Sequence, residues 1–202
     1  MLWLILAIVL WGIVHSLLAS MGFKEACQRL FGDKAMRGYR LFYNLFALLS
    51  FIPILYLMVT LPDRPLYEVP MPYSYWMRAG QLAALILLFV AVFQTDLFSF
   101  VGLRQLFEEE KSGPLITHGL YRYVRHPLYT FSLAILWLSP SMTLNSFVFY
   151  CALTLYVLVG IFFEERKLLR VFGEEYAKYR AVTPMLIPGR RLRWNNSLPE
   201  AS

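Results

Sequence analysis

The residues best equipped for chemistry fall in two short runs. The first is Gly119-Leu120-Tyr121-Arg122-Tyr123-Val124-Arg125-His126-Pro127-Leu128-Tyr129. Pro127 suits the first position of a helix, where its missing N–H costs nothing. Arg125 and His126 then stand at the positive end of that helix, a place that attracts anions. Tyr121, Tyr123 and Tyr129 add aromatic faces. The second run is Glu164-Glu165-Arg166-Lys167-Leu168-Leu169, followed by Phe172-Gly173-Glu174-Glu175-Tyr176 and Tyr179. Two adjacent acids directly after an apolar segment are costly to desolvate unless they are paired or hold a cation. Plainer roles are open to both runs. Arg125 and His126 would also serve to touch lipid phosphate above a tyrosine belt, and Glu164 would also pair with Lys167 on its own helix. Gly173 reads as a helix C-cap, and Pro184 and Pro188 read as stops.

The elements that must position these runs are set by where charge is missing. Of 202 residues, 58% are hydrophobic and only 16% charged, against roughly a quarter charged in an ordinary soluble domain. A soluble domain of this size has too much surface for its volume to hide so many apolar side chains. The composition predicts a single all-α integral membrane domain over 1–202 and excludes a disulfide scaffold, a disordered chain and a plain soluble enzyme. Uncharged stretches cover 1–20, 41–60, 79–95 and 128–163. About 20 apolar residues make one crossing. The last stretch is longer than that and is interrupted by Ser139-Pro140-Ser141, so it predicts a hairpin of helices over 127–138 and 142–164. This makes five membrane-embedded helices.

Charge placement supports the hairpin independently. With five helices, 17 of the 19 Lys and Arg residues fall on one side, with Arg64 and Arg78 on the other. By the positive-inside bias the N-terminus is expected outside and the C-terminus in the cytoplasm. Glu164 and Glu165 then return to the membrane face that carries Arg125 and His126. The net charge of +6 is accounted for by basic segments on anionic lipid headgroups, with no nucleic-acid partner. Residues 1–20 lack a basic leading region and read as an uncleaved signal anchor. Residues 22–38 read as an amphipathic helix on the membrane surface. His15, Ser16 and Ser20 read as interhelical polar contacts, and Asp96 as a carboxylate facing the bundle or a wet cavity. Cys27 and Cys151 have neither disulfide nor metal-ligand spacing. A small transporter fits poorly, because no repeat-related pair of broken helices is visible.

Together the two runs outline a polar chamber with aromatic faces, a histidine, an arginine and two carboxylates. It suits a ligand with a ring to stack, a carboxylate for Arg and an ammonium for Glu. S-adenosyl-L-methionine has all three, and physics permits it without selecting it.

Arg125-His126-Pro127-Leu128-Tyr129, with Glu164-Glu165 and Phe172-Gly173-x-x-Tyr176-x-x-Tyr179, resembles the isoprenylcysteine carboxyl methyltransferase and phospholipid methyltransferase group of membrane enzymes over about 110–190. More narrowly, Asp96-Leu97-Phe98, Gly102-Leu103-Arg104-Gln105, Gly119 to Thr130, Trp137-x-x-Pro140-x-Met142-Thr143 and Pro184-Met185-Leu186-Ile187-Pro188 resemble bacterial methanethiol S-methyltransferases. His15-Ser16 and Phe23-Lys24 resemble the start of these proteins and of NnrU-like membrane proteins. Phe131 departs from the pattern, standing where the family often has glycine, and narrows the path of cofactor or acceptor.

The resemblance implies an S-adenosyl-L-methionine-dependent methyltransferase of the bacterial cytoplasmic membrane, acting on a small thiol. An isoprenylcysteine carboxylate or a lipid amine is the alternative acceptor, and a non-catalytic NnrU-like membrane partner protein is the alternative role. It also implies residue roles. Tyr121, Tyr129 and the backbone around Gly119–Tyr123 would hold the nucleoside, and Pro127 would also belong to the cofactor site. His126 would bind the cofactor and, secondarily, take the acceptor's proton. Arg125 would meet the methionine carboxylate or Glu164, and Glu165, then Glu164, would receive the ammonium. No metal is implied.

Overall fold

The computed structural model describes residues 2–95, 98, 101, 103–107 and 113–189. Asp96, Lys111 and the basic residues at 190, 191 and 193 lie outside the described residues. Among the described residues six helices follow in chain order: α1 (Leu2–Ala19), α2 (Met21–Thr60), α3 (Tyr73–Gln94), α4 (Pro127–Trp137), α5 (Leu144–Phe172) and α6 (Glu174–Val182). Two short strands, β1 (Pro65–Glu68) and β2 (Ser141–Thr143), form an antiparallel ribbon. Helices α1, α2, α3 and α5 are long and apolar enough to cross a membrane. The chain is an all-α polytopic membrane protein.

Helix α2 corrects one expectation. The segment over 22–38 is not one amphipathic helix, because Gly32 breaks it with φ 74° and ψ 173°. That backbone is left-handed, which glycine adopts without a Cβ penalty. Residues from Asp33 onward belong to the second crossing, and the Gln28 side chain bridges the break by donating to Asp33 Oδ1 at 2.8 Å. The second crossing packs antiparallel to α1. Trp11 Nε1 donates to Ser50 Oγ at 3.0 Å, and the Tyr39 hydroxyl donates to Leu18 O at 2.6 Å. His15 pairs with the Tyr43 hydroxyl and stacks on Trp11, an interhelical contact. The α1 N-terminal half meets α2 and α5 in a core of Leu4, Ile8, Ile54 and Phe149. Most other large apolar side chains face outward, Val59 at 78% and Phe93 at 73% exposed, the reverse of a soluble domain and suited to lipid.

The predicted hairpin is present, with different arms. Helix α4 has 11 residues and so reaches about 16 Å, roughly half of a hydrocarbon core. Trp137 Nε1 at its end donates to Thr154 Oγ1, halfway along the spanning part of α5. Leu138 N–H closes the last helical bond, to Ala134 O, and residues 139–143 complete the distance outside the α-helix. Such backbone needs partners away from water, and the α2–α3 loop supplies them. Tyr67 pairs with Met142 and Glu68 with Ser141, Val69 N–H donates to Pro140 O at 2.8 Å, and Leu144 N–H donates to Arg64 O at 2.9 Å. Thr143 and Ser146 then close a reciprocal cap that starts α5. The second arm runs 144–172 rather than 142–164, which puts Glu164 and Glu165 inside a helix, two turns before Gly173 ends it. Along α3, Gln81 Nε2 donates to Ile135 O at 2.8 Å, which locks α3 to α4.

This architecture has two ends. The ribbon end holds β1, β2, Arg64 and Arg78; the other holds the start of α2, the 119–126 run, the end of α5 and α6.

Candidate functional site

The site forms at that second end, where α4 begins. Pro127 is fully buried at the first helical position, and His126 precedes it with extended φ, 5% exposed. The run before it is turned by Gly119 at φ 61°, whose missing side chain lets the chain press on α3. A Cβ there would run into the Gln94 amide, whose Oε1 accepts from Leu120 N–H at 2.9 Å. On the other flank the chain after α6 comes back over the run. Arg125 N–H donates to Pro184 O at 2.9 Å, His126 N–H to Met185 O at 3.2 Å, and the Thr130 hydroxyl to Leu186 O at 2.8 Å. The stretch read from sequence as two stops is therefore also a clamp on the histidine segment.

The two glutamates, adjacent in sequence, have different surroundings. Arg125 donates to Glu165 Oε1 through Nε at 2.8 Å and through one terminal nitrogen at 2.5 Å. The other terminal nitrogen donates to Thr183 O at 2.5 Å and Arg180 O at 3.2 Å. His126 Nε2 stands 3.3 Å from the same Glu165 oxygen. A carboxylate only accepts, so Nε2 carries the proton of that bond. Nδ1 is left facing Glu164, 3.8 Å from its Oε2. Glu164 accepts from the Tyr129 hydroxyl at 3.1 Å and keeps 43% of its side chain exposed, against 14% for Glu165. Its partner is Tyr129; no ion pair to Lys167 exists among the described residues.

Glu164 looks into a cavity of about 690 Å³, within the usual range for small-molecule sites. Tyr121, Arg125, His126 and Tyr129 share its wall. Glu165 stands behind that wall, as do Pro127 and Gly119, and Tyr123 is 56% exposed outside it. Arg125 is thus paired with Glu165, where the methionine carboxylate or Glu164 was expected, and the acid that faces the cavity is Glu164, where Glu165 was expected first. Sequence reasoning missed the apolar side, Leu88, Phe89 and Val92 of α3 with Leu128 and Ser132 of α4, together with Arg40 of α2. A helical face of α3 opposite its lipid face was the available signal, but helix orientation is needed to use it.

Tyr176 and Tyr179 of α6 close the cavity from outside. The Tyr179 hydroxyl donates to Tyr121 O at 2.6 Å, tying α6 to the 119–122 turn. Tyr176 is 1% exposed, and its hydroxyl has no hydrogen-bond partner of regular geometry. Burial, then the Glu165 charge, pushes that hydroxyl up to about 12, and burial, then Glu164, does the same for Tyr121. Both stay neutral donors at ordinary pH. A buried donor left without a partner costs about 1–3 kcal/mol unless a ligand or water meets it.

The chain is similar to several methanethiol S-methyltransferases. That of Crocosphaera subtropica is 42% identical over 108 residues, 51% of this chain and 42% of that protein. Methanethiol S-methyltransferase 1 of Bradyrhizobium diazoefficiens is 32% identical over 198 residues, 93% of this chain and 66% of that protein. That of Mycobacterium tuberculosis is 30% identical over 186 residues, 86% of this chain and 72% of that protein. The chain therefore spans 42% and 66% of the length of the first two. No solved structure matches at a significant level. The family model described as NnrU protein matches residues 3–192, nearly the whole sequence, and the chain belongs to the NnrU family.

Proposed function

We propose that this protein is an S-adenosyl-L-methionine-dependent membrane methyltransferase whose acceptor is a small thiol such as methanethiol. The observation that carries the reading is the half-exposed Glu164, facing a cavity whose other wall is apolar and embedded in the spanning helices. Names of the similar proteins support the same chemistry. The residues fit the cofactor. Tyr121, Leu115 and Ile116 offer flat and apolar surface for an adenine, and Glu164 meets an ammonium.

When bound, the cofactor supplies a sulfonium methyl group, an electrophile that a thiolate attacks with loss of both charges. The chain's own contribution is environment and proton handling. Leu88, Phe89, Val92 and Leu128 exclude water and admit an apolar acceptor from the bilayer. His126, held by Glu165 through Nε2, keeps Nδ1 as the acceptor for the thiol proton. Arg125 and Glu165 position the histidine. The Lys and Arg bias supports a cytoplasmic position for this end and an outside one for Arg64 and Arg78, and the membrane we propose is a bacterial cytoplasmic one.

The test is incubation of the purified protein with methyl-labelled S-adenosyl-L-methionine, methanethiol and membrane lipid. Label in a volatile sulfide is the expected result. Label in lipid overturns the acceptor, and absence of both transfer and binding supports a non-catalytic membrane partner.

A further inference from the structure

One side of the cavity is hydrocarbon, formed by Leu88, Phe89 and Val92 of α3 and Leu128 of α4. Ser132 interrupts it. This residue is half-buried, one helical turn beyond Leu128 on α4 and about 7.5 Å along the axis from Pro127. It therefore stands further into the membrane than His126 or Tyr129.

A hydroxyl in a spanning helix commonly turns back to the carbonyl four residues earlier, since no water is there to take it. Thr130, two residues before Ser132, donates in this way to His126 O at 3.1 Å. Thr60 does the same to Tyr56 O at 2.8 Å, and Thr154 to Tyr150 O at 2.7 Å. Ser132 does not. Among the described residues its hydroxyl has no hydrogen-bond partner, and protein atoms do not seal it off.

A lone hydroxyl on an apolar wall selects what lies against it. A wholly hydrocarbon occupant, such as a prenyl or acyl chain, strips the hydroxyl of water and returns nothing. An occupant that is apolar apart from one atom with lone pairs keeps the apolar contact and meets the hydroxyl as well. A small thiol has that composition. Its sulfur accepts a hydrogen bond weakly while protonated and more strongly as a thiolate, so the same contact favours the ionised form.

We infer that Ser132 binds the methyl acceptor, donating to the sulfur of a small thiol and selecting it over acceptors with hydrocarbon tails. This rests on the proposed reaction and places its acceptor on the α3–α4 side of the cavity.

The experiment measures calorimetric binding of three probes to the full chain in lipid nanodiscs, with empty nanodiscs as the blank. The probes are benzenethiol, toluene, in which a methyl group replaces the thiol, and S-adenosylhomocysteine. Ser132→Ala is expected to weaken benzenethiol about 3- to 10-fold, the range for one hydrogen bond. Toluene is expected to bind as before or more tightly, and S-adenosylhomocysteine as before. Ser132→Leu fills the space and is expected to exclude both aromatic probes while S-adenosylhomocysteine still binds. An equal change of benzenethiol and toluene in Ser132→Ala, or no change in either, overturns the assignment. Loss of S-adenosylhomocysteine in either variant also overturns it, because Ser132 would then serve the cofactor or the fold. Failure of the unsubstituted protein to bind S-adenosylhomocysteine removes the cofactor reading instead, a separate outcome because the aromatic probes are read without it.

Discussion

The ribbon end and the cavity end of this protein are both polar, and they use polarity differently. At the ribbon end the partners come from two stretches, 61–69 and 139–146, which hydrogen-bond to each other and to their own caps. Asp63 Oδ1 accepts from Arg64 N–H at 2.8 Å and Asn145 N–H at 3.0 Å, and backbone meets backbone along the strands. At the cavity end the partners come from Gln94, the 119–130 run, Glu164–Glu165 and 176–186, and they stop short of satisfying one another. Arg125 and Glu165 are absorbed into structure, while Glu164 faces open volume. At the ribbon end most polar groups complete each other and hold the fold together, with Asn145 Oδ1 buried there without a partner. At the cavity end a group held in place but left incomplete is what a ligand can use.

The sharpest way to break this contrast is to attack the part of the cavity end that is structural. Arg125→Ala leaves Glu165 without its main counter-ion and frees the 183–186 clamp. Removing one partner of a largely buried pair is expected to cost about 3 kcal/mol, read as a lowered unfolding temperature in detergent, with ligand binding lost as well. An unchanged unfolding temperature would mean that the pair is not structural.

Next comes the division between neighbouring acids. Glu164→Gln is expected to reduce cofactor-analogue affinity about 30- to 100-fold with little change in thermal stability. Glu165→Gln is expected to do the reverse, destabilising the protein and loosening His126. Titration calorimetry and thermal scans on both variants separate the two effects, and identical behaviour would erase the distinction drawn here.

At the ribbon end, Thr143→Ala removes an N-cap and is expected to cost about 1 kcal/mol while leaving analogue affinity as it was. An affinity change would show that the two ends are coupled.

The smallest effects lie in the pH dependence. Burial raises the Asp63 carboxyl, but hydrogen bonds from Thr143 and from the Asn145, Arg64 and Leu144 N–H groups together outweigh it and hold the group below its usual value. Its stabilisation is present above the ordinary carboxylate range and is lost as pH falls through the lowered value. Tyr121 and Tyr176 are raised to about 12, so their contribution is present below pH 10 and fades as pH rises toward 12. Hydrogen exchange is therefore expected to show the ribbon end opening first in acid and the cavity end first in alkali. Tyrosinate absorbance checks the second half.

Several expectations from the sequence survive because they rest on local chemistry. Charge-free apolar gaps of about 20 residues mark crossings whatever surrounds them, and α1, α3 and α5 lie where those gaps are. Ser139-Pro140-Ser141 marked the hairpin turn because proline cannot continue a helix. Its strand pairing with 65–68 was invisible, since a four-residue ribbon far apart in sequence leaves no periodic signal. Gly32 was read through because an isolated glycine is tolerated in a helical pattern, and only its φ shows the break. The segment 183–186 carried prolines that signal a stop but nothing that signals what the chain does after stopping.

What the sequence by itself determined is a multi-crossing membrane protein with a proline-led histidine segment and a pair of acids at one end. Tertiary structure alone decided which acid serves which purpose. Successive residues on a helix point about 100° apart, so Glu164 and Glu165 must face different neighbours, and the rotation of α5 against α4 and the returning 183–186 segment sets which faces the cavity. The same holds for Arg40. Its place on the wall depends on how α2 breaks and leans, a long-range packing outcome that no local pattern encodes.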